Sequence, residues 1–302
     1  MPEPVPERPS LLEVMLRAAG RAPAALGGSA PLVAAFLRGQ INPDGGVKGP
    51  GGRSDLYYTA FGLQALRALG AEIPGEAVRG YLAAFGSGEG LDLVHLACLA
   101  RCWTILGEPG LAPDARADLL HRIEAHRSTD AGYAQAVGAP RGSVYGCFLA
   151  LGACQDLGAE MPDPAGVARC LASLRKGDGA YANEHFLATG STPATAAAVG
   201  TLRHLGQPVE PAAAQWLLAR IDRHGGFLAT PTAPLPDLLS TATALHALVG
   251  LGAPLDPIRE LCLDFIDSLW ADEGAFRGTW IDETLDCEYT FYGLLALGHL
   301  GT

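Results

Sequence analysis

Six stretches of this 302-residue chain follow one pattern: a polar start, an apolar helical run and a terminal Leu-Gly. They are "SDLYYTAFGLQALRALG" (54–70), "LDLVHLACLARCWTILG" (91–107), "GSVYGCFLALGACQDLG" (142–158), "GSTPATAAAVGTLRHLG" (190–206), "PDLLSTATALHALVGLG" (236–252) and "LDCEYTFYGLLALGHLG" (285–301). The closing glycines recur every 37 to 51 residues. A glycine there stops a helix, because that ending needs a left-handed backbone. A helix apolar on nearly all sides has to be buried on nearly all sides, so six such helices must surround one another.

Between them lies a second set with one polar face: "PLVAAFLRGQ", "GEAVRGYLAAF", "APDARADLLHRIEAHR", "DPAGVARCLASLRK", "PAAAQWLLARID" and "PIRELCLDFIDSLW". Most begin after Pro or an acidic residue, as helix starts do. Glycine-rich turns such as "NPDGGV", "KGDGAY" and "RHGGF" follow them. Alternating half-solvated and buried helices close into a double ring. The predicted fold is all-α, an (α/α)6 toroid of six helical hairpins spanning residues 30–302. An open solenoid would leave its apolar ends bare unless capped. Residues 1–29 read as a leader with one helix, "LLEVMLRAAGRA", packed on the outside.

A formal charge of −11 argues against nucleic-acid and anionic-membrane partners, which need basic surface. No apolar run approaches membrane-spanning length, and "MPEPVPERPS" lacks a signal-peptide pattern. Seven cysteines without a C-x-x-C pair read as buried thiols of a cytoplasmic protein.

The glycine-rich turn followed by S/D-x-x-x-T-A-x-A-L-x-A-L-G resembles the repeat of the prenyltransferase and squalene-cyclase superfamily. "RHGGFLATPTAPLPDLLSTATALHALVGLG" and "NPDGGVKGPGGRSDLYYTAFGLQALRALG" carry it best. The length resembles that of a protein prenyltransferase β subunit. The resemblance implies an α/α toroid acting on an isoprenoid, a polyprenyl diphosphate or hydrocarbon, in its central cavity. It implies, as alternatives, a β-subunit-like protein needing a helical protein partner, or a non-catalytic toroid binding a lipid, peptide or protein. In protein prenyltransferases zinc is held by a D-x-C segment and a His. Here Asp237 matches the Asp, but Leu239 replaces the Cys and Tyr289 the His. Zinc is therefore not expected; magnesium is left open. In class II terpene cyclases a D-x-D-D-T-A acid occupies the same helix start, and "Asp286-Cys287-Glu288-Tyr289-Thr290" resembles it.

The first helical positions read Asp55, Asp92, Ser143, Ser191, Asp237 and Asp286, all good N-cap residues. In the fourth repeat Thr192 is an alternative cap. Just inside, only the sixth repeat carries a charge, Glu288. Glu288 and Asp286 are thus the candidate acid–base residues. An acid role for Glu288 needs a dry site, because the helix dipole otherwise lowers its pKa. Substrate contacts are expected from Tyr57, Tyr58, His95 and Tyr289. Lys48 and Arg53 are expected to meet a diphosphate. These residues gather where repeat six meets repeats one and two.

Overall fold

The computed structural model of the protein describes residues 8–301. The signal-peptide expectation falls mainly on residues 1–7, outside the described residues. The leader holds α1 (Leu11–Ala19) and α2 (Ala22–Leu26). Six outer–inner pairs follow. They are α3 (Ala30–Gly39) with α4 (Leu56–Ala68), α5 (Gly75–Ala83) with α6 (Leu93–Leu106), and α7 (Pro113–Glu124) with α8 (Val144–Asp156). The second half adds α9 (Pro164–Leu174) with α10 (Thr192–His204), α11 (Pro211–Leu218) with α12 (Leu238–Gly250), and α13 (Arg259–Ser268) with α14 (Cys287–Leu300). Each inner helix packs on the next, and α14 packs on α4, so the ring closes.

The caps fall where the sequence places them. Asp55, Asp92, Ser143, Ser191, Asp237 and Asp286 each accept a hydrogen bond from a backbone N–H of the first turn. In the fourth repeat Ser191 is the cap. Thr192 lies inside the helix and donates its hydroxyl to the Leu228 carbonyl at 2.6 Å. Gly70, Gly107, Gly158, Gly206 and Gly252 have φ between 60° and 73°; Gly301 has φ −79°. The recurring threonine is structural. Thr59 and Thr241 donate to their cap carbonyls and accept from Val47 N–H and Phe227 N–H, tying turn to helix.

Short antiparallel pairs form in three of these turns, β1 (Val47–Lys48) with β2 (Ser54–Asp55), β3 (Phe227–Leu228) with β4 (Pro236–Asp237), and β5 (Trp270–Ala271) with β6 (Ala275–Phe276). The turn glycines set the spacing between repeats. Gly225 has φ 94°, and a Cβ there would lie 1.7 Å from the Leu261 carbonyl oxygen of α13. Gly274 has φ 86°, and its Cβ would lie 2.6 Å from the Leu32 carbonyl oxygen of α3, which seals repeat six against repeat one. Gly225→Ala combines left-handed strain of about 1–2 kcal/mol with overpacking of about 1–3 kcal/mol. We expect it to lower unfolding free energy by about 3 kcal/mol in denaturant titration. An unchanged midpoint would mean that α13 is not seated on this turn.

The leader departs from expectation. α1 does not lie on the outside. A capping box between Ser10 and Glu13 starts it, and its Leu11, Leu12, Ala18 and Ala19 are buried. It crosses the C-terminal ends of the inner helices: Leu11 N–H donates to Gln155 Oε1 at 2.9 Å, and Arg8 to the Arg203 carbonyl at 3.0 Å. The toroid is closed at this end. No helix among the described residues is long and apolar enough to cross a membrane.

Candidate active site

The inner helices enclose a cavity of about 430 Å³, within the usual range for small-molecule sites. The repeat register explains its lining. Counting from each cap, positions two, six and nine fall on one helix face. Position two supplies Tyr57, Tyr145, Pro193 and Leu239; position six supplies Ala197, Thr243 and Tyr292; position nine supplies Gly200, His246 and Leu295. Leu11 and Met15 of α1 form the floor. No carboxylate lines this space.

Glu288 also occupies position two, at the mouth. Its Oε1 accepts a hydrogen bond from the Tyr57 hydroxyl at 2.7 Å across the seam between α14 and α4. The predicted junction of repeats six and one is thus real, and Tyr57 is the member that reaches the cavity wall. Burial raises the Glu288 pKa; the Tyr57 bond opposes this and repulsion from Asp286 adds to it. Desolvation therefore outweighs the helix N-terminus, and the protonated form is favoured. Around the pair stands an aromatic cluster. Tyr57 meets Phe61 edge-on at 5.0 Å, and Phe61 meets Tyr292 at 5.5 Å. Burial pushes the Tyr57, Tyr145 and Tyr292 phenols well up, so all three are neutral.

Asp286 is a cap first: it accepts from Tyr289 N–H at 2.8 Å, and burial raises its pKa. An amide caps as well as a carboxylate. Because the folded pKa is raised, the proton-bound form stabilises the fold at low pH, and that contribution is lost as pH rises through the folded value. Asp286→Asn should therefore gain stability relative to wild type from acid towards neutral pH. The opposite trend in denaturant unfolding would contradict the buried placement.

The other predicted residues disperse. Tyr58 stacks edge-on against Tyr57 at 5.5 Å, and burial pushes its phenol up to about 12. Tyr289 packs against the Gly278 backbone, its phenol pushed up to about 12 by burial. His95 binds its own cap, with Nδ1 2.7 Å from Asp92 Oδ1, and lines a side groove with Asp55 and Tyr81. Lys48 donates its ammonium to the Gly39 carbonyl at 2.8 Å, and Arg53 is exposed in the turn. His95, Lys48 and Arg53 do not line the central cavity, because each is held on the turn or groove outside it.

The zinc positions do not fit the metal. Both Asp237 oxygens are held by Ser240, by its N–H and its hydroxyl, each at 2.7 Å. Leu239 presents only hydrocarbon to the cavity, and Tyr289 offers a neutral phenol in place of imidazole. No cluster among the described residues supplies three metal-ligating side chains.

Residues that sequence reasoning missed include Tyr292, His246, Leu11 and Met15. Tyr292 was accessible, since it lies four residues after Glu288 and so shares its face. His246 Nδ1 lies 2.9 Å from His299 Nε2 at the deep end. Burial lowers these imidazoles to about 4 and about 3, so the pair is neutral.

Comparison with known proteins agrees with this architecture. Residues 194–301 match the model of the prenyltransferase alpha-alpha toroid domain. The resemblance to the prenyltransferase and squalene-cyclase repeat superfamily holds, and the fold is its α/α toroid. The type II terpene cyclase MstE from Scytonema, solved with geranylgeranyl dihydroxybenzoate, superposes with a TM-score of 0.66 at 13% identity. That match covers 93% of this chain and 97% of the cyclase. Protein geranylgeranyltransferase-I of Candida albicans, complexed with GGPP, gives 0.60 at 12% identity over 97% of this chain and 91% of its own. The α-1,6-mannanase GH76A of Salegentibacter sp. HEL1_6 gives 0.64 at 12% identity, over 91% and 98%. At such identities the likeness shows the fold alone. No curated protein matches the sequence.

Proposed function

We propose that this chain is an enzyme that takes an isoprenoid chain into the central cavity and protonates it from Glu288. The observation that carries this reading is the Glu288–Tyr57 hydrogen bond at the mouth of an aromatic, closed-ended cavity. Proton transfer to an alkene makes a C–H bond, breaks the carboxyl O–H bond and leaves the neighbouring carbon cationic. The Tyr57 hydroxyl then donates to the new carboxylate, which makes Glu288 a stronger acid than burial alone would allow. The faces of Tyr57, Tyr145 and Tyr292 suit a cation that water would otherwise quench.

Two other chemistries seen on this fold suit the residues less well. Glycoside hydrolysis needs two carboxylates flanking the bond, and none lines the cavity. Thiol prenylation needs the zinc donors that Leu239 and Tyr289 replace. A non-catalytic toroid would bind the same ligands unchanged.

The test is a panel of polyprenyl diphosphates, prenylated aromatic compounds and linear isoprenoid hydrocarbons, incubated with and without divalent metals and read by mass spectrometry. An isomeric product of unchanged mass is expected from at least one polyprenyl compound. Neither binding nor turnover across the panel would sink the proposal.

A further inference from the structure

A second cavity, of about 500 Å³, opens over repeats three and four and shares Tyr145 and Asn183 with the central one. Its character is different. Gln135, Arg141, Asn183, Glu184 and His185 line it beside the Phe186 ring, which is 78% exposed. Asn183 stands at the neck. Its Oδ1 accepts from Tyr145 N–H at 2.9 Å, and its carbonyl accepts from Val144 N–H at 3.0 Å. A backbone N–H requires the amide oxygen, so the Asn183 NH₂ is the group left to meet a ligand. Arg141 donates to His185 Nδ1 at 3.0 Å, which fixes that ring nitrogen as an acceptor. The other edge of His185 faces Ser173 and Asp130, with Nε2 3.4 Å from the Ser173 hydroxyl and 3.8 Å from Asp130 Oδ2. One bond leaves most of the five guanidinium donors of Arg141 for a ligand.

Charge decides which ligand. Arg141 is the one fixed cation in this lining and Glu184 the one carboxylate. A diphosphate, with several negative charges, needs a surplus of cations that the pocket lacks. A single carboxylate matches one bidentate guanidinium. Aromatic groups at both ends of the pocket, Tyr145 and Phe186, offer faces to a flat head group.

We propose that this vestibule binds the carboxylate-bearing, aromatic end of an amphipathic substrate whose isoprenoid part fills the central cavity. The inference rests on the reading of the central cavity and deepens it. The substrate carries no diphosphate leaving group, so its reaction starts by protonation, as the placement of Glu288 requires.

The test compares binding of geranylgeranyl-substituted hydroxybenzoic acid, its methyl ester and geranylgeranyl diphosphate by wild type and Arg141→Gln, using titration calorimetry. Wild type should bind the acid about ten-fold tighter than the ester, and the variant should bind the two alike. Arg141 is exposed, so the variant should fold normally. Equal affinity for acid and ester in wild type would overturn the head-group assignment and leave the central-cavity reading standing. Diphosphate binding tighter than acid would overturn it equally. Failure of wild type to bind any of the three would overturn both.

Discussion

Glu288→Gln should reduce turnover of an accepted isoprenoid by about 10²–10⁴-fold, the usual contribution of a positioned general acid. The amide keeps the size of the side chain and still accepts from the Tyr57 hydroxyl, so packing of α14 on α4 is retained. What is lost is the transferable proton. Affinity for an unreactive analogue should change little, because Glu288 does not line the apolar cavity. Activity that survives in Glu288→Gln would move the acid elsewhere. A parallel loss of affinity would recast Glu288 as a binding residue. The pH profile supplies a second check. Burial raises the Glu288 pKa, and the acid works only when protonated, so turnover should fall as pH rises through that value. Tyr57→Phe should also lower turnover, since the carboxylate formed after proton transfer loses its donor.

The largest stability effect is expected at the closed end of the cavity. Arg101 of α6 pairs with Asp156, the last residue of α8, with Nε 2.5 Å from Oδ2, and also donates to Gln64 of α4 at 3.0 Å. Side-chain exposure is 15% for Arg101 and 1% for Asp156. Three inner helices are thus pinned together through one guanidinium. Arg101→Met strands a buried carboxylate, which costs about 3–5 kcal/mol. Adding Asp156→Leu removes the stranded charge and should recover most of that loss, because well-packed apolar groups often replace a buried pair without penalty. Both variants can be read by chemical denaturation. A single-variant loss below about 1 kcal/mol, or a double variant no better than the single, would show that the pair is not buried as described.

Much of this architecture could be read from the chain itself, and the reasons are local. Caps and stop glycines act within a few residues, so Asp55, Ser143 and Gly206 announce helix ends directly. The six-fold recurrence then leaves ring closure as the way to bury helices that are apolar all round. The site was legible to a lesser degree. Glu288 stands out because it breaks a repeat register, and its partner Tyr57 occupies the same register position in another repeat. What could not be read depends on tertiary placement. An all-round apolar helix shows no preferred face in its hydrophobic pattern, so the side chains that point to the ring axis, such as His246 and Tyr292, look like any others. α1 has the apolar stripe of any surface helix, and only its docking across the ring makes Leu11 and Met15 the cavity floor. Lys48 misled because a cation near a helix start suggests an anion site. Here the nearby Gly39 carbonyl takes its donor instead.

The central claim is that an apolar chain occupies the toroid cavity, and Gly200 offers the most direct test. A Cβ at this cavity-lining position would meet only Leu11 and Phe148, at 3.8 and 4.0 Å, so there is room for a larger side chain. A helical glycine also gives way to other residues at a gain of up to about 1 kcal/mol. Gly200→Phe should therefore keep or raise stability while its ring takes the ligand's place. Titration of geranylgeraniol into wild type and Gly200→Phe should show at least about ten-fold weaker binding in the variant, a difference of about 1.4 kcal/mol. Equal binding by a stably folded Gly200→Phe would contradict the claim.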